Sequence, residues 1–460
     1  MLRWLEVNFH SLVEKQRIYF EQGNTRKLEF RISMLRKLQS GIKSNESLFN
    51  EAMKNDMNKC PTEVYMTEIG MVLEELSFHI RHLNRWLRNK KVRTPIAQFP
   101  AKSFISPEPH GVALIMSPWN YPIQLCLLPL IGAISAGCTA VVKPSAYAPA
   151  TSCAIAHVLK MIFSEEYIAV VEGGREQNKA LLEERFDYIF FTGSPEVGRL
   201  VMESAAKHLT PITLELGGKS PVIVDNTANL KIAARRIAFG KVLNAGQTCV
   251  EPDYLFIHRD VKDDFINYYK SALQEFFPDG TMTDMNTIIN EKHFERVVGL
   301  LESGKVVLGG KTNREKKFVE PTLLDDVSLD SPVMKQEIFG PILPMILFSH
   351  IHECTDYIIK NPKPLALYLF TNDSSVEKHV LNKCSFGGGC INDTIIHLAN
   401  SHMGFGGVGD SGMGSYHGKG SFDTFTHYRS IVKKATWLDI PIRYRPYSKM
   451  KDKLLRIFLK

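Results

Sequence analysis

At 460 residues the chain is too long for a single small module and predicts two or three domains. Hydrophobic residues at 44%, charged residues at 23%, 31 Gly and 23 Pro are ordinary globular values, which excludes disordered, collagen-like and long coiled-coil sequence. The formal charge of +7 gathers at one end, where Arg443 to Lys460 holds seven basic residues against Asp452; the rest is close to neutral, so no nucleic-acid-binding face is expected on the main domains.

In chain order, the residues to about Arg93 predict helices. Leu5, Phe9, Leu12 and Val13 repeat at helical spacing, and Glu74 to Leu87 mixes apolar and charged positions in the same way. Met1 to Asn50 carries charge throughout and lacks an apolar core ending in a cleavage site, which predicts a cytoplasmic protein. From Gly111 to Val142 no residue is charged, and by length alone the stretch reaches across a bilayer. Pro118, Pro122 and Pro129 interrupt it and Asn120 and Gln124 polarise it, so a buried strand, loop, helix and strand are expected instead.

Short β-rich runs then alternate with helix-length segments. The runs are Val112 to Met116, Thr139 to Lys143, Ile168 to Val171 and Asp187 to Phe191; the segments are Pro122 to Ser135, Pro149 to Phe163, Gln177 to Arg185 and Pro195 to His208. This alternation predicts a doubly wound α/β sheet that binds ligands at the carboxyl ends of its strands. A second α/β region follows from Pro221 to about Ile396, with strands at Pro221 to Val224, Tyr254 to His258 and Leu367 to Thr371. Glycine is dense between Gly387 and Gly420, and Thr426 to Ala435 reads as a strand leading into the basic tail. There Tyr447, Met450, Leu454 and Phe458 share a helix face among lysines, a pattern that fits packing or solvation better than an anionic membrane surface because the segment is short.

Several strand ends carry residues with chemistry. Gly193 and Ser194 close a strand and Pro195 to Gly198 open a helix, offering free N–H groups to an anion, or merely a tight turn. Lys143 ends another strand on the same edge. Asn120 follows the first strand and is either a neutral donor to an oxyanion or an Asx-turn residue. Glu215 precedes Gly217, Gly218 and Lys219, a place for a desolvated general base or for a Glu215–Lys219 pair. Eight cysteines show no paired two-residue spacing, arguing against zinc ribbons and disulfide frameworks. Cys249 alone has small, polar company, in Asn244-Ala245-Gly246-Gln247-Thr248-Cys249, and is the candidate nucleophile.

Taken together, these segments resemble the aldehyde dehydrogenases. The resemblance runs in order through Ser117-Pro118-Trp119-Asn120, Lys143-Pro144-Ser145, Phe191-Thr192-Gly193-Ser194 with Val197-Gly198, Glu215-Leu216-Gly217-Gly218-Lys219, Gly246-Gln247-Thr248-Cys249 and Glu337-Ile338-Phe339-Gly340-Pro341. The runs Met403 to Gly409 and Ser411 to Gly418 are similar to the class 3 branch, which includes fatty and aromatic aldehyde dehydrogenases. The resemblance implies a Rossmann-type NAD(P)-binding domain over 1–213, discontinuous and joined by part of 400–424. It further implies a catalytic α/β domain over 214–400, an oligomerisation arm over 425–442 and a basic tail over 443–460, in a homodimer.

It also implies roles: Cys249 as nucleophile, Glu215 as general base, Asn120 as oxyanion donor, and Lys143, Ser145, Gly193, Ser194, Val197, Gly198, Glu337 and Phe339 as contacts of NAD or NADP, with no metal. The implied reaction is oxidation of apolar aldehydes to carboxylic acids through a cysteine thioester. Its rivals are acyl transfer to coenzyme A and a non-catalytic NAD-binding protein of the same fold. Two positions depart from the family pattern: Ala146 stands where Glu is frequent, and Glu251 where a small residue is usual. The first bears on nucleotide preference; the second adds a charge near the nucleophile.

Overall fold

A computed structural model describes residues 8–459 of the chain. Leu5, part of the first predicted helical repeat, lies outside the described residues; the helix itself, α1, spans Phe9–Glu21 and buries Leu12 and Val13. Helices α2 (Leu28–Ser44), α3 (Glu46–Met57), α4 (Pro61–Val64) and α5 (Gly70–Trp86) follow, with a widened turn, Tyr65–Ile69, between the last two.

The strands fall where the apolar runs predicted. β1 (Lys90–Val92) and β2 (Ala101–Pro109) precede β3 (Val112–Met116), after which α6 (Gln124–Ala136) leads to β4 (Thr139–Lys143), α7 (Pro149–Ile162) to β5 (Ile168–Val170), α8 (Arg175–Leu182) to β6 (Tyr188–Gly193) and α9 (Pro195–Ala206) to β7 (Ile212–Leu216). These build a sheet ordered β7-β6-β3-β4-β5, all parallel. Winding runs outward from β3 in both directions, so the order reverses between β3 and β6, and a crevice opens at their carboxyl ends. Asn120 follows β3; Gly193 and Ser194 end and follow β6.

Every residue of α6 is buried, which is why its sequence is apolar all round. It is 13 residues long, and no described helix is long and apolar enough to cross a membrane.

The second sheet begins with β8 (Pro221–Val224), α10 (Leu230–Val242) and β9 (Tyr254–His258). It continues with β10 (Lys305–Leu308), a hairpin of β11 (Thr312–Asn313) and β12 (Phe318–Val319) outside it, β13 (Thr322–Asp325), β14 (Ile342–Phe348), β15 (Ala366–Phe370) and β16 (Gly388–Ile391). Its order is β10-β13-β14-β9-β8-β15-β16, with only β10 antiparallel to its neighbour. The chain then returns to the first sheet: β17 (Gly412–Met413) pairs antiparallel with Leu214 and Glu215 of β7. Finally β18 (Thr426–Lys434) pairs along its length with β2, so the projecting ribbon is three strands, β1-β2-β18, drawn from residues 90–109 as well as from the C-terminal region.

Candidate active site

A cavity of about 680 Å³ lies between the two sheets. Asn120, Gly193, Ser194, Glu215, Cys249, Glu337 and Phe339 all line it, along with Trp119, Lys219, His293 and Arg296. Lys143, Ser145, Val197 and Gly198 lie outside that lining, further along the edge of the first sheet.

Cys249 reaches the cavity on a strained loop. Asn244, Ala245 and Gly246 hold φ values of 53°, 52° and 69°, three successive left-handed residues of which two have a side chain. Such a conformation costs about 1–2 kcal/mol for each residue with a Cβ. Only glycine serves at 246, because a Cβ there would lie 2.4 Å from the Gly340 carbonyl oxygen. The turn is held by amides: Asn244 Nδ2 donates to Asn120 O at 2.9 Å and to Gln247 O at 3.0 Å, and Gln247 Nε2 donates to Asn244 O at 3.0 Å and Thr287 O at 3.1 Å. Asn120 Nδ2 donates to Gln247 O at 3.0 Å, leaving its second amide hydrogen available to a ligand. Tyr121 and Thr248, the neighbours of Asn120 and Cys249, share a hydroxyl contact of 2.7 Å.

Burial pushes the Cys249 thiol up to about 12, with Glu337 and Glu215 adding to the shift; the Cys249 and Val250 N–H groups oppose it and lose. Glu215 is 2% exposed, neither of its carboxylate oxygens has a partner, and burial holds its carboxyl well above the usual range. A buried carboxyl without a partner is costly unless a ligand or water completes it, and here it faces the thiol's cavity. The alternative pairing with Lys219 is not made: Lys219 binds Asp253 and the Val333 and Gln336 carbonyls. Glu251, the second departure, is sealed away in an ion pair with Lys241 at 2.8 Å.

The other wall suits a dinucleotide. Glu337 Oε1 is buried without a partner, and burial raises the carboxyl to about 8. Gly217 gives it room, since a Cβ there would meet Glu337 Oε2 at 2.2 Å. Arg296 donates to the Glu337 and Ile338 carbonyls at 3.1 and 2.7 Å and fixes this segment. Phe339, at φ 48°, packs edge-on against Trp119, which also lies against His293. At the mouth Ser194 caps α9, its side chain accepting from Val197 N–H and its carbonyl from Gly198 N–H at 2.9 Å. Lys143 Nζ donates to Pro144 O and Gly173 O at 2.8 and 2.6 Å, and burial lowers its pKa to about 8. Sequence reasoning named neither Arg296 nor His293, and no local pattern in Glu291–Gly299 marks them apart from an ordinary amphipathic helix.

A family model for the aldehyde dehydrogenase family matches residues 6–431. The chain belongs to the aldehyde dehydrogenase family. It is 47% identical to the 4,4'-diaponeurosporen-aldehyde dehydrogenase of Staphylococcus aureus over 96% of this chain and 97% of that protein. It is also 43% identical to aldehyde dehydrogenase family 3 member B1 of Bos taurus, over 96% and 95%. Among solved structures, a substrate-bound Staphylococcus aureus AldH superposes with a TM-score of 0.96 at 46% identity, covering 98% of this chain and 99% of that one. This aldehyde dehydrogenase is thus of the class 3 branch, an oxidoreductase acting on aldehydes with NAD or NADP.

Proposed function

We propose that the enzyme oxidises apolar aldehydes to carboxylic acids through a thioester on Cys249. The observation that carries this reading is the single cavity lined by Cys249, Asn120 and Glu215, with Glu337 and Phe339 on its other wall. The Cys249 sulfur, as thiolate, attacks the carbonyl carbon, and the oxygen takes the electron pair. Asn120 Nδ2 and the Cys249 N–H stabilise that oxyanion, about 3 kcal/mol per donor in comparable sites. Glu337, Phe339, Gly193, Ser194 and, further out, Lys143, Ser145, Val197 and Gly198 would hold the dinucleotide, which would supply the acceptor of the hydride that leaves carbon. Glu215 then takes a proton from water as the water oxygen attacks the thioester, and the C–S bond breaks to give the acid and the Cys249 thiolate, after which Glu215 loses its proton to solvent. The aromatic Trp119 in the cavity lining favours an apolar substrate.

Ala146 shapes cofactor choice in this reading. It is exposed, three residues beyond a lysine that already spends two N–H groups on carbonyls, and offers no carboxylate to a ribose hydroxyl. The enzyme is expected to discriminate weakly between NAD and NADP. Ala146→Glu should raise the ratio of kcat/KM for NAD over NADP by roughly tenfold, the scale of a hydrogen bond to a charged group. A wild type that rejects NADP by several orders of magnitude, with no change in the variant, removes Ala146 from that role.

The reading also takes the enzyme to be a cytoplasmic homodimer. Its C-terminal helix, Lys449–Phe458, is capped by Ser448 and has no fully buried residue, and Met450, Leu454, Ile457 and Phe458 are exposed. In the proposal this stripe packs on a second subunit. Deleting residues 447–460 should therefore weaken the dimer about tenfold in sedimentation equilibrium while leaving pelleting with anionic vesicles unchanged. Vesicle pelleting that depends on the tail would assign the stripe to a membrane surface instead.

A further inference from the structure

The helical segment before α5 carries two acidic side chains that the chemistry above does not use. Between α4 and α5 the backbone widens by one residue over Tyr65–Ile69, with Gly70 N–H donating to Tyr65 O five residues back. Side chains five residues apart on a regular α-helix point roughly 140° apart. Here the widened turn lets Glu63 and Glu68 serve the same side of the molecule, each on a different loop of the active site.

Glu68 is fully buried and paired with Lys59 at 3.0 Å. Its Oε2 accepts from Ile123 N–H and Gln124 N–H at 2.8 and 3.2 Å, which fixes the start of α6 just after Asn120. Glu63 reaches the other loop. Its Oε1 accepts from Asn244 N–H and from Asn286 Nδ2, both at 2.9 Å, and Asn286 Nδ2 also donates to Asn244 Oδ1 at 3.0 Å. The carboxylate thus grips the backbone of the first left-handed residue before the thiol. The same Asn244 donates its amide to Asn120 O.

We propose that Glu63 is a positioning residue of this enzyme, whose carboxylate holds the left-handed Asn244–Gly246 turn and, through Asn244, sets Asn120 against Cys249. The proposal rests on Asn120 as oxyanion donor. Glu63 lies outside the cavity lining. What it controls is the separation of thiol and oxyanion donor, a quantity on which rate depends steeply, since a misplacement of about 1 Å costs on the order of 100-fold.

The test is the single-turnover rate of NADH formation from the dinucleotide-loaded enzyme, measured beside the two KM values. Glu63→Ala should slow that burst by about tenfold to 100-fold with both KM values within about threefold, because acylation is misaligned while the binding groups are untouched. Glu63→Gln, which keeps an acceptor oxygen, should recover to within about fivefold of wild type. Asn244→Gly, which tolerates the positive φ and removes the amide link to Asn120, should match Glu63→Ala, and the double variant should be no slower than either alone, because both break one chain of contacts. A folded Glu63→Ala enzyme with a wild-type burst, or losses that multiply in the double variant, would overturn the proposal; if Glu63→Ala does not fold, the Asn244→Gly burst decides in the same way. Asn120→Ala separates the premise from the proposal, since an unchanged burst there removes Asn120 as oxyanion donor whatever Glu63 does.

Discussion

Cys249→Ala should reduce NADH formation by at least about 10⁴-fold, because the route through a thioester is then closed altogether. Dinucleotide binding, followed by fluorescence quenching, should stay within about threefold, since Glu337, Phe339 and the Gly193 turn are left in place. In the wild type without dinucleotide, a thiol raised to about 12 is protonated near neutrality. Its alkylation by iodoacetamide should therefore be slow at pH 7 and climb with pH, in step with the rising thiolate fraction. The variant should lose this pH-dependent labelling. Full turnover in Cys249→Ala would end the covalent mechanism.

Glu215→Gln should divide the cycle in two. A burst of NADH approaching one per active site should survive, followed by a steady rate lowered by roughly 10²–10⁴-fold, the usual contribution of a general base. Burial raises the wild-type Glu215 carboxyl well above the usual carboxylate range, so the fraction able to act as a base, and with it the deacylation rate, should increase with pH through that raised range. Gln at 215 cannot ionise and should flatten the rise. Equal losses of burst and steady rate would instead make Glu215 the activator of Cys249.

Much of the fold is written locally. The runs that become β3, β4, β8 and β9 have the bounds the sequence predicts, because a strand buried on both faces is apolar in its middle and turns polar only at its ends. The glycines and polar residues after β3, β6 and β7 stand at strand ends, where open α/β sheets bind ligands. What the chain conceals is every contact between distant segments. Pairing of β18 with β2 makes a three-stranded ribbon that draws in residues 90–109, where no strand is legible in the sequence. Lys219 could be read against Glu215 only until Asp253, 34 residues on, came beside it. The loss of every partner by Glu215 is a property of the assembled cavity, not of the sequence around it. Glu63 is quieter still, since its segment reads as an amphipathic helix and nothing local announces the extra residue in the turn.

The pairing of β17 with β7 sets an order of events during synthesis. Glu215 lies on a strand whose outer neighbour is encoded about 200 residues downstream, and Leu216 N–H finds its acceptor, Ser411 O, only when that segment arrives. When the chain has emerged as far as residue 391, the nucleophile and every strand of the second sheet are outside the ribosome, yet the strand bearing the base is still an open edge. The nascent chain thus carries a thiol with no finished pocket around it until the segment after residue 400 has arrived. The same late segment brings β17 to the strand of the base and sets Phe405, Tyr416, Phe422 and Phe425 into the core.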